Sequence, residues 1–448
     1  MSFKPVAPAL ALSRRAAFLA PLAVAGCDTI DGWFNTKKVP IAGKRESVES
    51  IGQGLRPDQG AGKVQIPAPV RNAGWPQAHG NPAHMMGHLA IGDALRETWT
   101  ASIGEGGGYR RKILAQPLVA DGSVFTMDSD GGVSAFSFAN GSRQWRFDSR
   151  NEDADSTNIG GGLAVDKGTV YAVNGIGDLV ALDAAKGTLR WRKALDAPVR
   201  SSPTVAEGRL FLTMIDDRML GLSAEDGRIL WTHRGLGGGT PMLGQPAPGY
   251  ASGIVVAGFG SGEIAGLRAD TGSPVWSDGL GASRLRSALT DFTAIRGAPV
   301  IANGLVYAVG MGGLAVAFDL PTGRRVWERR ISGEDSPCVA GDWLFLVSIE
   351  QEMIALNARD GRVAWVTAMP RWENEEKRRD PYTWYGPVLA GDRLIVTGTS
   401  QEALSISPYT GAILGRQRLS GVASPVGPVV ADATLLVVTD DARLTALR

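Results

Sequence analysis

The sequence predicts an all-β protein, an eight-bladed β-propeller of four-stranded antiparallel blades, and three observations predict it. Glycine supplies 59 of 448 residues beside an ordinary 44% hydrophobic content. That is near twice the average glycine share of ~7%, with no collagen period, and it is the composition of short strands joined by many tight turns. A glycine followed four residues later by tryptophan recurs: Gly141 and Trp145, Gly187 and Trp191, Gly227 and Trp231, Gly272 and Trp276, Gly323 and Trp327, Gly361 and Trp365. From Trp99 to Gly415, which takes the tryptophan position in the unit GAILG, the intervals average about 45 residues, the length of a four-stranded blade. A prior of about 150 residues per domain would divide the chain in three. The repeat replaces that division with one ring.

In chain order, residues 1–26 read as a lipoprotein signal peptide. They hold Arg14-Arg15, about eleven apolar residues from Ala16, and the small residues Val24-Ala25-Gly26 before Cys27. The apolar stretch is too short to span ~30 Å of hydrocarbon as a helix. Val24-Ala25-Gly26-Cys27 resembles the lipobox of bacterial lipoproteins, in which the cysteine thiol carries lipid and begins the mature chain; the alternative is a secretory signal with a chance cysteine. Residues 27–69 are polar, with scattered Gly and Pro, and are expected to be a flexible tether. Residues 70–94 form a lead-in segment holding Trp75-Pro76-Gln77 and three of the four histidines, His79, His84 and His88. Pro82 and Gly87 argue against a helix that would align those histidines on a metal, so the segment is read as a loop packed under the ring.

The propeller itself is assigned to 95–448. Each unit reads as a leading strand (PLVADG, PTVAEG, PVIANG, PCVAGD, PVLAGD), a second strand, a polar turn, a third strand ending near Leu-Asp, a Gly-containing turn and a strand bearing the tryptophan. The last unit, GPVVADATLLVVTDDARLTALR, has three strands, while Trp99 sits on a tryptophan strand with no blade before it. These halves are complementary, so N-terminal and C-terminal strands should pair and close the ring, removing two sheet edges. The regular recurrence of Trp99, Trp145, Trp191, Trp231, Trp276, Trp327 and Trp365 assigns them to packing between blades rather than to cofactor stacking.

Composition excludes several functions. Forty-six basic against 45 acidic residues leave a net charge of +1, so no bulk electrostatic case exists for a nucleic-acid binder. Two cysteines exclude a disulfide scaffold and a multi-cysteine metal site. Cys338, on an apolar leading strand, reads as a small buried thiol. Asp128, Asp130, Asp216 and Asp217 fall in blade turns, where their turn chemistry already accounts for them.

The tryptophan repeat resembles that of the pyrroloquinoline-quinone (PQQ) dehydrogenases and of non-enzymatic propellers that share it. With the lipobox, the tether, the Trp-Pro-Gln segment and a single ring, the whole chain resembles the BamB-like lipoprotein family of the outer-membrane β-barrel assembly machinery. That resemblance implies a non-catalytic scaffold with no cofactor, lipid-anchored in the outer membrane and facing the periplasm. Its partners would be the POTRA domains of BamA, other subunits of the machinery and unfolded outer-membrane proteins. Asp28 keeps inner-membrane retention open, since enteric sorting favours it there. The rival readings are a PQQ-dependent quinoprotein dehydrogenase, against which the lack of a vicinal cysteine pair counts, and an unrelated envelope propeller that binds proteins.

A partner surface should lie on the connections of one face. The longest tryptophan interval, from Trp276 to Trp327, contains Arg284, Arg286, Asp291, Phe292 and Arg296, a mixture of arginines and apolar anchors that suits a protein interface. The preceding connection offers Met242 and Leu243 as an apolar tip. In BamB-like proteins this neighbourhood is where BamA docks. A second long insertion, MPRWENEEKRRDPYTWYG, ends in Tyr382, Trp384 and Tyr385 and is read either as a binding loop or as a salt-bridged loop whose aromatics pack on the ring. GEGGGYRRK, with Tyr109, Arg110 and Arg111, is open in the same way.

Overall fold

The computed structural model describes residues 55–448 apart from 110, 151–159, 238–243 and 282–292. Eight four-stranded antiparallel sheets follow one another. Numbered along the chain and written from the axis outward, blade 1 is Leu118–Ala120, Ser123–Met127, Gly132–Ser137 and Arg143–Asp148; blade 2 begins at Gly161, blade 3 at Thr204, blade 4 at Gly249, blade 5 at Val300, blade 6 at Cys338 and blade 7 at Trp384. Blade 8 takes Val429–Ala431, Thr434–Val438 and Arg443–Leu447 from the C-terminus and Glu97–Ser102 from the N-terminus, with Trp99 opposite Ala446. The ring therefore closes as the complementary end units require.

Burial explains why the strands differ in composition. Second and third strands lie between neighbouring blades, and Thr169–Asn174 (TVYAVN) is buried at every position, so these strands read as continuous apolar runs. Fourth strands face solvent along the rim, and Ile229–Arg234 alternates around one buried residue, Trp231. Each such ring lies over its own sheet, as Trp231 does on Phe211 with centroids 6.0 Å apart, and reaches into the next blade. Trp99, Trp145, Trp231, Trp276, Trp327 and Trp365 donate their Nε1–H to carbonyls of Phe138, Ala184, Ala269, Leu320, Ala358 and Pro408, at 2.8 to 3.1 Å.

The glycine of each Gly-Trp pair turns out to serve the tryptophan of the preceding blade. Gly141 abuts Trp99, Gly187 abuts Trp145, and so on to Gly411 against Trp365; a Cβ at any of these seven glycines would lie no more than 2.7 Å from the indole. All seven also have φ between +68° and +74°, so turn geometry and close approach both select glycine.

Because strands alternate in direction, the turns joining first to second and third to fourth strands emerge on one face, called lower, and the remaining turns and the blade-to-blade connections on the other. Residues 55–69, counted with the tether on composition, lie along the ring instead: Asp58 N–H donates to Val363 O and its carboxylate accepts from Val363 N, both at 2.8 Å. Polarity misled here because the few apolar residues that dock, Leu55, Val64 and Ile66, follow no strand or helix period, although Val64 is 6% exposed within the core.

The lead-in segment closes the central channel by bonding to the innermost strands. Trp75 exchanges both backbone bonds with Val119, and Val165, Tyr250 and Ile301 donate to the carbonyls of Pro76, Pro82 and Ala83. The Gln77 amide takes both backbone groups of Val205, at 2.8 and 2.9 Å, Leu89 donates to Leu389, and Asn72 Nδ2 donates to Val430. Seven inner strands are thereby tied to one segment, with His79 half-buried and His84 buried within it. Burial pushes their imidazoles down to about 3 and about 4. His84 Nδ1 lies 2.8 Å from Pro299 O, and His88 spends its nitrogens on Pro67 O and Asp392 N–H. Among the described residues no group of three or more His, Cys, Asp or Glu side chains converges as for a metal.

Candidate functional site

With the channel sealed by the lead-in segment, the upper face carries the accessible relief. Three cavities of about 250, 70 and 90 Å³ are all lined by Asp335. Asp335 lies between blades 5 and 6, where its Oδ2 accepts from Gly386 N–H at 3.1 Å. Burial pushes its carboxyl up to about 7, against the opposing pull of the Arg296 guanidinium. Arg296 is ion-paired with Glu334, so this arginine, expected at a partner surface, is engaged within its own ring, where both line the cavity of about 90 Å³.

The largest cavity is walled by the insertion after blade 6. Trp372–Asn374 and Arg379–Pro381 pair as a small hairpin, an element the charge pattern did not signal. Trp384 is 1% exposed and held by Nε1–H to Pro370 O at 2.8 Å, while Trp372, Tyr382 and Tyr385 line the cavity. Trp384 packs into the ring as the second reading of this loop expects, whereas among the described residues no ion pair joins the charges of 371–381. The turn aspartates behave as expected, with Asp128 Oδ1 accepting from Asp130 and Gly132 N–H and Oδ2 from Arg146.

Of the other expected partner residues, Met242, Leu243, Arg284, Arg286, Asp291 and Phe292 lie outside the described residues, as does Cys27. Their described flanks belong to the upper-face connections on either side of blade 4. There Leu236 is 82% exposed, its N–H fixed by Glu263 at 2.6 Å. Tyr109 is 98% exposed near the start of the ring, and Arg111 lies 3.5 Å from Asp130.

The model of the family described as outer membrane protein assembly factor BamB matches residues 96–158, 153–367 and 370–448. The chain belongs to this family. The BamB of Xanthomonas campestris is 26% identical over 431 residues, 95% of each chain, and that of Shewanella oneidensis is 25% identical over 76% of this chain and 85% of its own. The crystal structure of BamB from Moraxella catarrhalis is matched over its whole length and 79% of this chain, with a TM-score of 0.66 and 20% identity. A quinohemoprotein alcohol dehydrogenase from Pseudomonas putida HK5 superposes with a TM-score of 0.64 at 13% identity, covering 86% of this chain and 83% of its own, a likeness of fold alone. Among the described residues Cys338 is the one cysteine and is free, its thiol pushed up to about 12 by burial, so no adjacent-cysteine pair of the kind expected of a quinoprotein dehydrogenase is present there.

Proposed function

We propose that this chain is a non-catalytic, lipid-anchored scaffold of outer-membrane protein assembly that docks on the POTRA domains of BamA and holds unfolded barrel proteins near the machinery. The observation that carries this reading is the family match, which runs through every blade of the ring. The geometry supports it in two ways. The lead-in segment fills the channel, leaving the upper-face connections as the accessible relief, and those flanking blade 4 present an exposed apolar residue, Leu236, beside the stretches that hold Met242, Leu243, Arg284 and Arg286. Near-neutral net charge means that a partner is recognised locally, through such anchors, rather than by a long-range field. Cys27 supplies the lipid attachment, and several acyl chains give stable anchoring at ~0.8 kcal/mol per buried CH₂.

The test replaces Met242, Leu243 and Arg286 together (Met242→Ser, Leu243→Ser, Arg286→Glu) in the full-length protein and measures capture of the BamA POTRA region. A loss of tenfold or more with unchanged circular dichroism is expected. Undiminished capture by a folded variant would remove the proposed surface.

A further inference from the structure

The outer strand of blade 7 breaks the rule that the other seven blades keep. Its residues, Ile413–Arg418, put Gly415 where every other blade has tryptophan, and a Cβ there would meet nothing within 4 Å. Across the sheet Gly415 faces Ser405, which is half-buried. The residues that face the other tryptophans, Ala135, Ala181, Ala317, Ala355 and Ala446 among them, are at 0% exposure because an indole covers each. The next residue inward is Ile395, where blades 1, 2, 3, 5 and 6 carry Phe125, Tyr171, Phe211, Tyr307 and Phe345 beneath the indole. Both the cover and its aromatic floor are thus reduced, leaving a notch one ring deep.

Topology explains why the chain does not fill it. The turn that would receive a blade 7 tryptophan is the third-to-fourth turn of blade 8, and the ring's closure replaces that turn with the pairing of Arg96 and Arg448. No turn glycine exists there to accept an indole. On the blade 8 side, Gln417 Nε2 lies 3.5 Å from the Leu95 carbonyl. The strand is an outer sheet edge, with free backbone groups and with Ile413 and Leu414 39% and 56% exposed. Exposed arginines flank it: Arg416 reaches Glu402 at 3.6 Å, and among the described residues Arg96 and Arg418 show no ion pair.

We propose that the seam between blades 7 and 8 is a docking slot for an extended, acidic peptide segment. The segment adds a strand to the free edge of Ile413–Arg418 and lays one aromatic side chain over Gly415 and Ser405. Acidic residues beside that aromatic meet Arg96, Arg416 and Arg418. The other seams show what the notch accommodates, since seven indoles occupy the equivalent position; the arginines select the sign of the flanking residues. This slot lies on the rim, apart from the connections around blade 4, so its test does not depend on capture of the POTRA region.

The probe is a labelled peptide of alternating valine and threonine with a central tryptophan flanked by aspartates, titrated into the full-length protein and followed by fluorescence anisotropy. Replacing its tryptophan by alanine, or its aspartates by lysine, should weaken binding at least tenfold. Gly415→Trp fills the slot from within and should cost at least tenfold in affinity with no fall in the unfolding midpoint. Should that variant not fold, Arg96→Glu with Arg418→Glu, which leaves packing untouched, should produce the same loss. No binding by the unaltered protein, or equal binding by these variants, overturns the proposal.

Discussion

The interlock between each glycine and the preceding tryptophan predicts opposite outcomes for one chemical change at two positions. At Gly272 a methyl group would lie 2.5 Å from Trp231 Cε3, and φ is +70°. The left-handed conformation costs an alanine about 1–2 kcal/mol, and forcing a methyl into a packed contact typically adds about 1–3 kcal/mol. Gly272→Ala should therefore destabilise the ring by about 2–5 kcal/mol. At Gly415 the same methyl meets nothing within 4 Å and φ is not positive. Gly415→Ala should be neutral or stabilising by up to ~1 kcal/mol, through the reduced freedom of the unfolded chain. Urea unfolding followed by tryptophan fluorescence reads the difference: the midpoint should fall by the order of 1 M for Gly272→Ala and stay or rise for Gly415→Ala. Equal effects at the two positions would refute the interlock as the reason for the repeat. Trp231→Ala should cost about 3–5 kcal/mol by the same assay, since it empties the site and strands the Ala269 carbonyl.

Three further outcomes follow from the same geometry. Gln77→Leu leaves both backbone groups of Val205 without their partner, which should cost about 2–4 kcal/mol and speed amide exchange in Thr204–Ala206. The Asp335 carboxyl, at about 7, binds its proton more tightly in the folded than in the unfolded chain. Its contribution to stability is accordingly lost as pH rises from about 4 to 7, by at most ~1.4 kcal/mol per pH unit. Asp335→Asn should flatten that slope and raise the melting temperature above pH 7; an unchanged pH profile would count against the burial. Cys27→Ser should move the protein from the membrane pellet to the soluble periplasmic fraction, and retention in the pellet would count against the lipid anchor.

The ring was legible in the sequence because each blade must repeat the same contacts, and repetition leaves a period. The tryptophan spacing, the unpaired first strand at Trp99 and the three-stranded last unit specify eight blades and their closure. The functional surface was less legible. The lead-in segment, legible only as a loop packed under the ring, binds five inner strands through its own backbone, which carries no sequence signature, and two through the Gln77 and Asn72 side chains. Arg296 reads as a partner-binding arginine in sequence and is an ion-paired wall of a cavity in the structure.

By itself, then, the sequence determined the blade count, the strand order and the residues that cover each seam, because those depend on local periodicity and on turn chemistry. Tertiary structure alone decided which blade each glycine serves, what seals the channel, and why the seventh blade has no tryptophan. Those three depend on what the neighbouring blade or the chain termini place opposite a residue, and that is a matter of closure in space. At Gly415 the two meet: the missing ring is visible in the sequence, and the missing turn that explains it exists only once the ends of the chain are paired.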